Sequence, residues 1–165
     1  MRKAISVVTS LLVFFFAVAQ VSRALEAPVH LLSPTGATAT TNNTIWFDDA
    51  LPTGALGFSD GGDWWNWLTA NPNPFSGTSS HQSSVGQGFH QHYFMYATKT
   101  LTVNAGETLV AYVYVDPANV PNEIMLQWSD GSSWEHRAYW GTSRFPWGTD
   151  GTASMRYMGA MPTAG

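Results

Sequence analysis

The chain has no cysteine. Neither a disulfide framework nor a thiolate metal site is therefore available to it, and a lipoprotein anchor is excluded as well. Charge is also scarce, at 11% of residues against about 25% in an average soluble protein. Three of the seven basic residues, Arg2, Lys3 and Arg23, lie in the first 23 positions. Removal of residues 1–24 leaves four basic against 11 acidic residues, a net charge of −7. Such a surface excludes nucleic acid and anionic membranes as partners. Apart from one N-terminal run there is no long apolar stretch. Gly, Pro, Ser and Asn recur too densely between residues 51 and 88 for a long helix.

What is present is apolar and aromatic. Hydrophobic residues make up 44% of the 165 and aromatics 14%, with eight tryptophans. That suffices for one domain with a real core. Arg2 and Lys3 precede an uncharged run over residues 4–19 that includes Leu11-Leu12-Val13-Phe14. Small residues follow at Ala17-Val18-Ala19 and Ser22-Arg23-Ala24. This is the pattern of a secretory signal peptide cleaved after Ala24, and the run is short of the roughly 20 residues a membrane span needs. Residues 1–24 read as the signal peptide, 25–44 as a Thr/Pro-rich leader arm, and 45–165 as the domain. The expected location is secreted or cell-surface, with no membrane span after cleavage.

The domain reads as all-β. Strands are expected at residues 45–47, 64–68, 89–97, 100–103, 108–116, 123–128 and 134–140, with Asp130-Gly131 as a hairpin turn. In 108–116, Leu109, Ala111, Val113 and Val115 share one face and Val110, Tyr112 and Tyr114 the other. Regular short strands with turns between them predict an antiparallel β-sandwich, jelly-roll-like.

Several residue sets could carry chemistry. His90 and His92 project from one strand face, and with His136 they are a candidate transition-metal site. Asp48, Asp49 and Asp116 sit at strand ends and are candidate calcium ligands, as Asp60, Asp63 and Asp150 are more loosely. No cofactor is required by anything in the sequence, and calcium is a possible one. Glu123 and Glu135 flank the hairpin, but Arg137 two residues on favours an ion pair for Glu135 over acid/base work. Ser79-Ser80-His81 and Ser83-Ser84 lack the strand–Gly-x-Ser-x-Gly–helix setting of a hydrolase. Trp64, Trp65 and Trp67, beside Asp63 and Asn66, are the candidate ligand-binding cluster, because indole faces stack on sugar C–H faces while polar neighbours take the hydroxyls. Core filling is the competing role of any one tryptophan.

The chain also resembles a known module. The resemblance opens at Phe47-Asp48-Asp49-Ala50-Leu51-Pro52 and runs through Trp65-x-Trp67, His81-Gln82-Ser83, His90-Gln91-His92-Tyr93-Phe94 and Tyr112-Val113-Tyr114-Val115-Asp116-Pro117. It continues through Glu123-Ile124-Met125-Leu126-Gln127-Trp128, Trp134-Glu135-His136-Arg137-Ala138-Tyr139-Trp140-Gly141 and Arg156-Tyr157-Met158-Gly159. These residues resemble a recurring β-sandwich module of large bacterial exported and cell-surface proteins, Rhs-type repeat proteins among them, similar in outline to carbohydrate-binding jelly-roll domains. The resemblance implies a place in a larger multidomain protein and further strands beyond Gly165. The function expected is a non-catalytic, exported, glycan-binding or adhesive module. The alternatives are a purely structural spacer of a surface protein and, third, a cupin-like metal-dependent enzyme built on the histidines.

Overall fold

In the computed structural model, residues 11–14, 29–31, 44–105 and 107–162 are described, the first two segments as backbone only. Arg2, Lys3, both cleavage motifs, most of the leader arm and residues 163–165 lie outside them. Among the described residues there is no helix; ten strands carry the fold. They are β1 (Leu11–Phe14), β2 (Val29–Leu31), β3 (Leu56–Asp60), β4 (Asn66–Leu68), β5 (Ser80–Gln82), β6 (His90–Met95), β7 (Leu109–Ala111), β8 (Glu123–Trp128), β9 (His136–Gly141) and β10 (Arg156–Gly159).

Six of these form one sheet in the order β10-β9-β8-β1-β6-β3. The pairs β8–β9 and β3–β6 are antiparallel, whereas β1 runs parallel to both of its neighbours and β10 runs parallel to β9. Two small ladders, β2–β7 and β4–β5, stand apart from it.

The two-residue period of a strand divides the large sheet into two faces. One carries His90, His92 and Phe94 of β6, Ile124 and Leu126 of β8, and Ala138 and Trp140 of β9. Ile124, Leu126, Ala138 and Trp140 cluster there with Val115, and Leu109, Ala111 and Val113 pack on them. The other face carries Gln91, Tyr93 and Met95, then Met125 and Gln127, then Arg137 and Tyr139. Met125 and Tyr139 meet Phe145 and Met155, with Tyr93, Met95, Trp134 and Trp147 packed around them. β8 is buried on both faces over its first five residues, as a central strand between two apolar clusters should be.

The strand expectations are met best where packing from both sides agrees with the pattern. Residues 123–128 form β8 as expected, His90–Met95 falls inside its expected span, and His136–Gly141 overlaps 134–140 and runs one residue past it. In 108–116 the inward alternation of Leu109, Ala111, Val113 and Val115 holds, but only Leu109–Ala111 pairs as a strand. Residues 45–47 form no strand: Trp46 and Phe47 turn their rings onto Phe94, 5.3 and 5.4 Å away. Residues 100–103 pair with nothing as a strand either. The strands Leu56–Asp60, Ser80–Gln82 and Arg156–Gly159 arise in segments for which no strand is expected. Leu11–Phe14, the middle of the expected signal peptide, is a strand between β6 and β8.

Gly141 ends β9 in a left-handed conformation, φ 93°. It lets the chain pass so close to Asn122 that Thr142 N–H donates to the Asn122 carbonyl at 2.8 Å. A methyl group at Gly141 would lie 2.3 Å from that same carbonyl oxygen, which is backbone and cannot step aside. We expect Gly141→Ala to cost about 2–4 kcal/mol by urea denaturation. Gly62→Ala, also at positive φ but with open space at its Cβ, should cost about 1 kcal/mol.

Candidate functional site

Three histidines, a serine and an aspartate from three separate stretches meet on the His90/His92 face. Asp63 follows the Gly61-Gly62 turn that closes β3, and its side chain is fully buried. Its Oδ2 accepts from Ser83 Oγ at 2.6 Å and its Oδ1 from the Ser84 amide at 2.7 Å. His92 Nδ1 lies 3.0 Å and His90 Nδ1 3.3 Å from the same Oδ2. A carboxylate only accepts, so these ring nitrogens carry protons. His92 Nε2 faces His81 Nδ1 at 2.8 Å. Trp65 closes the cluster, its ring 4.5 Å from His92 and 4.7 Å from His81, and Trp67 stacks on Trp65. Gly57 makes room: a Cβ there would strike the Trp65 ring at 2.8 Å.

Burial alone would push the Asp63 carboxyl up. Hydrogen bonds from His90, His92 and Ser83 and the attraction of His92 outweigh it and hold the group far below the usual carboxylate range. His81 is moved down instead. Its burial disfavours the imidazolium and His92 beside it adds to that, while Asp63 opposes. The chain of contacts therefore reads carboxylate, imidazole, neutral imidazole. Ser83 reaches the carboxylate directly rather than through a histidine, and it is 2% exposed. This is not the relay a serine nucleophile uses, in which the histidine stands between serine and acid. What the cluster does is tie the β4–β5 ladder and its adjoining loops to β6 through satisfied buried polar groups.

His136 shares a sheet face with His90 and His92 but not a centre. It sits on β9, three strand spacings or roughly 14 Å across the sheet from β6. There its Nε2 lies 3.1 Å from Asp130 Oδ2 and its ring is stacked on Trp128. His81, from the serine-rich stretch, takes the place expected of it. Asp49 accepts from the Thr78 and Ser79 amides at 2.5 and 2.8 Å, and Asp116 from the Ala118 amide and the Asn119 side chain. Both act as turn caps, which lowers their pKa values through those hydrogen bonds. Asp48 is half-buried beside Asp49. Among the described residues no three His, Asp or Glu side chains converge on a point where a metal could sit.

The tryptophan cluster divides. Trp64 is 68% exposed, Asn66 is exposed and donates to Gln82 Oε1, and Asp63 is enclosed. Trp65 and Trp67 are half-buried on the histidines, and Trp65 donates its N–H to the Tyr93 carbonyl at 3.0 Å. These five residues thus form no continuous exposed strip.

An open cleft of about 370 Å³ lies on the other sheet face, lined by Asp60, Gln91, Tyr93, Met95, Gln127, Trp134, Arg137 and Trp147. Arg137 is the fixed point of its floor. The guanidinium forks onto both oxygens of Glu135 at 3.0 Å, donates Nε–H to Gln127 Oε1 at 2.8 Å, and reaches the Ser154 carbonyl at 2.9 Å. The hydrogen bonds from Arg137 lower the Glu135 pKa, so the ion pair expected from their spacing is present. Gln91 turns its amide nitrogen to Asp60 Oδ2, while its carbonyl oxygen finds no partner among the described residues. Tyr93 stacks on Phe58, and Trp147 on Phe145. Glu123 lies apart, fully buried, its Oε2 accepting from the Arg144 and Phe145 amides; burial raises its pKa despite them.

Searches against protein-family models, curated proteins and solved structures find no match to this chain. The sites are therefore read on their own geometry. The sequence reading missed the cleft, although its signal was there. The period of two that aligned His90 with His92 also aligns Gln91 with Tyr93 and Met95, and the Asp130 hairpin sets Gln127 opposite Arg137.

His81 yields a pH prediction. Its pKa is depressed on folding, so its contribution to stability is complete above the unfolded value of 6.5 and is lost as pH falls below it. Unfolding free energy should drop by up to about 1.4 kcal/mol per pH unit below that point, and His81→Gln should flatten this limb. Urea titrations from pH 8 to 5 read the difference, and identical slopes would refute the assignment. Asp63→Ala should cost about 3–5 kcal/mol at pH 7, because it strands buried donors, and Asp63→Asn clearly less.

Proposed function

We propose that the protein is a non-catalytic exported binding module that holds a glycan in the cleft over β6, β8 and β9. The observation that carries this reading is the pairing of aromatic faces with fixed polar groups in one open concavity. Tyr93, Trp134 and Trp147 supply flat π surfaces, while Asp60, Gln91, Gln127 and Arg137 supply acceptors and donors. A pyranose ring has the matching duality of an apolar C–H face and a rim of hydroxyls. The cleft's volume is at the lower end of the roughly 300–1,000 Å³ usual for small-ligand sites, right for one or two sugar rings at a chain end or along a polymer.

The polar groups are held in place before any ligand arrives. Arg137 cannot swing, because four acceptors from three residues fix its plane. Preorganised donors of this kind bind without a fresh cost in side-chain ordering. The arrangement also suits the resemblance to surface modules of carbohydrate-binding type, and the N-terminal signal pattern supports export. On this reading the two small ladders and the large sheet are the two layers of a jelly-roll-like sandwich, with the histidine cluster between them and the cleft outside.

Affinity electrophoresis or a glycan array tests the proposal. Retention should fall at least about tenfold for Trp134→Ala, the loss of one stacking partner being worth roughly 1–3 kcal/mol. Trp64→Ala should bind as the parent does, since Trp64 lies outside the cleft. Equal melting temperatures would show that the loss is not one of folding. If no polysaccharide is retained, or if Trp64 rather than Trp134 governs retention, the cleft is not the binding site.

A further inference from the structure

The large sheet has one seam that residues 44–162 do not close by themselves. β6 and β8 do not pair with each other; each pairs with β1. The registers run from Leu11↔His90 to Val13↔His92 on one side and from Leu11↔Ile124 to Phe14↔Gln127 on the other, all parallel. Without β1, β3–β6 and β8–β9–β10 would face each other across a gap one strand wide, roughly 10 Å. Two rows of backbone N–H and C=O groups would then line that gap. Buried backbone groups without partners are costly, about 1–3 kcal/mol each, and a slot of this kind is a template for another strand.

The surroundings define what fits. Occupant positions level with Ile124 and Leu126 belong to the face of the buried cluster those residues share with Ala138 and Trp140. The position level with Met125 belongs to the face where Met125 meets Tyr139, Phe145 and Met155. Along its β8 edge the slot is thus apolar on both faces, whereas the β6 edge presents His90, Gln91 and His92 at the same levels; the β8 edge asks for an occupant apolar at successive positions rather than alternating. The run Leu-Leu-Val-Phe of β1 meets that requirement. Yet these four residues are also the heart of the segment that reads as a cleavable leader. The two roles are compatible if another strand can take the slot once the leader has gone.

We propose that the gap between β6 and β8 is an acceptor site for an added β-strand. It is filled in cis by Leu11–Phe14 in the unprocessed chain. After processing it is filled by a short apolar strand of a partner polypeptide, lying parallel to β6 and β8. The partner contributes at least four successive apolar residues without proline, hydrogen-bonded along both edges.

Because the chain has no cysteine of its own, engineered pairs report the slot cleanly. In the full chain, Leu12→Cys with Met125→Cys, in register, should form a disulfide under mild oxidation. Leu12→Cys with Val110→Cys on β7 should not. In a second experiment, a protease site placed at residues 22–24 of the folded full chain allows the leader to be cut. The cut segment should stay bound until a labelled peptide of residues 9–16, made soluble by a lysine tail, displaces it one for one. The same peptide with Val13→Pro should bind at least about tenfold more weakly, having lost a ladder donor. If cutting unfolds the remainder, the peptide should refold it and the proline peptide should not. The proposal is overturned if the in-register cysteines stay reduced. It is equally overturned if both peptides bind alike, or if the cut chain keeps its melting temperature with the slot empty and takes up neither.

Discussion

A carboxylate without access to water organises one side of this protein. Asp63 is buried to the last atom, and such a group survives only where its surroundings supply hydrogen-bond donors. Those donors come from two serines after β5 and two histidines of β6, so the requirement fixes the loop after β3 and the residues following β5 against one strand. Trp65 and Trp67 then fall into place as the lid, with His81 wedged beneath them. The tryptophans that looked available for sugars are partly consumed in shielding this ionic centre.

β6 joins that centre to the cleft. One strand carries histidines toward Asp63 and, on its other side, Gln91 and Tyr93 toward the open face, so the rigidity of one face is inherited by the other. Arg137 plays the corresponding part on β9. The polar wall of the cleft is thus held by cross-strand and ion-pair contacts rather than by loops, which is where a preorganised binding surface gains its precision. The aromatics facing it come from the hairpin residue Trp134 and the loop residue Trp147, which leave room for adjustment around a ligand.

The sequence made the all-β character legible, along with the sites of β6, β8 and β9, because aromatic and long aliphatic residues recur there between definite turns. The Glu135–Arg137 pair was equally legible, since residues two apart in extended chain project to the same side. Other features were not. Sheet neighbours are set by long-range pairing, so nothing local said that His136 would sit three strands from His90 while His81 would reach His92. Leu56–Asp60 and Ser80–Gln82 are rich in Gly and Ser, and they become strands only because β6 and β4 offer them edges. Conversely, Trp46 and Phe47 have strand-like composition but find more contact in packing on Phe94 than in pairing.

The opposed demands on the two sides of β6 have a consequence for how this chain can vary. Displacing that strand by a single position would drive glutamine and tyrosine against the Asp63 carboxylate and turn imidazoles out into the open concavity. Loss or gain of one residue within His90–Met95 therefore damages both faces at once. Lengthening the turn at residues 104–107, which is held by Glu107 folding back onto Asn104, touches neither. Indels in descendants of this sequence should accumulate in such turns and leave the spacing from His90 to Phe94 intact.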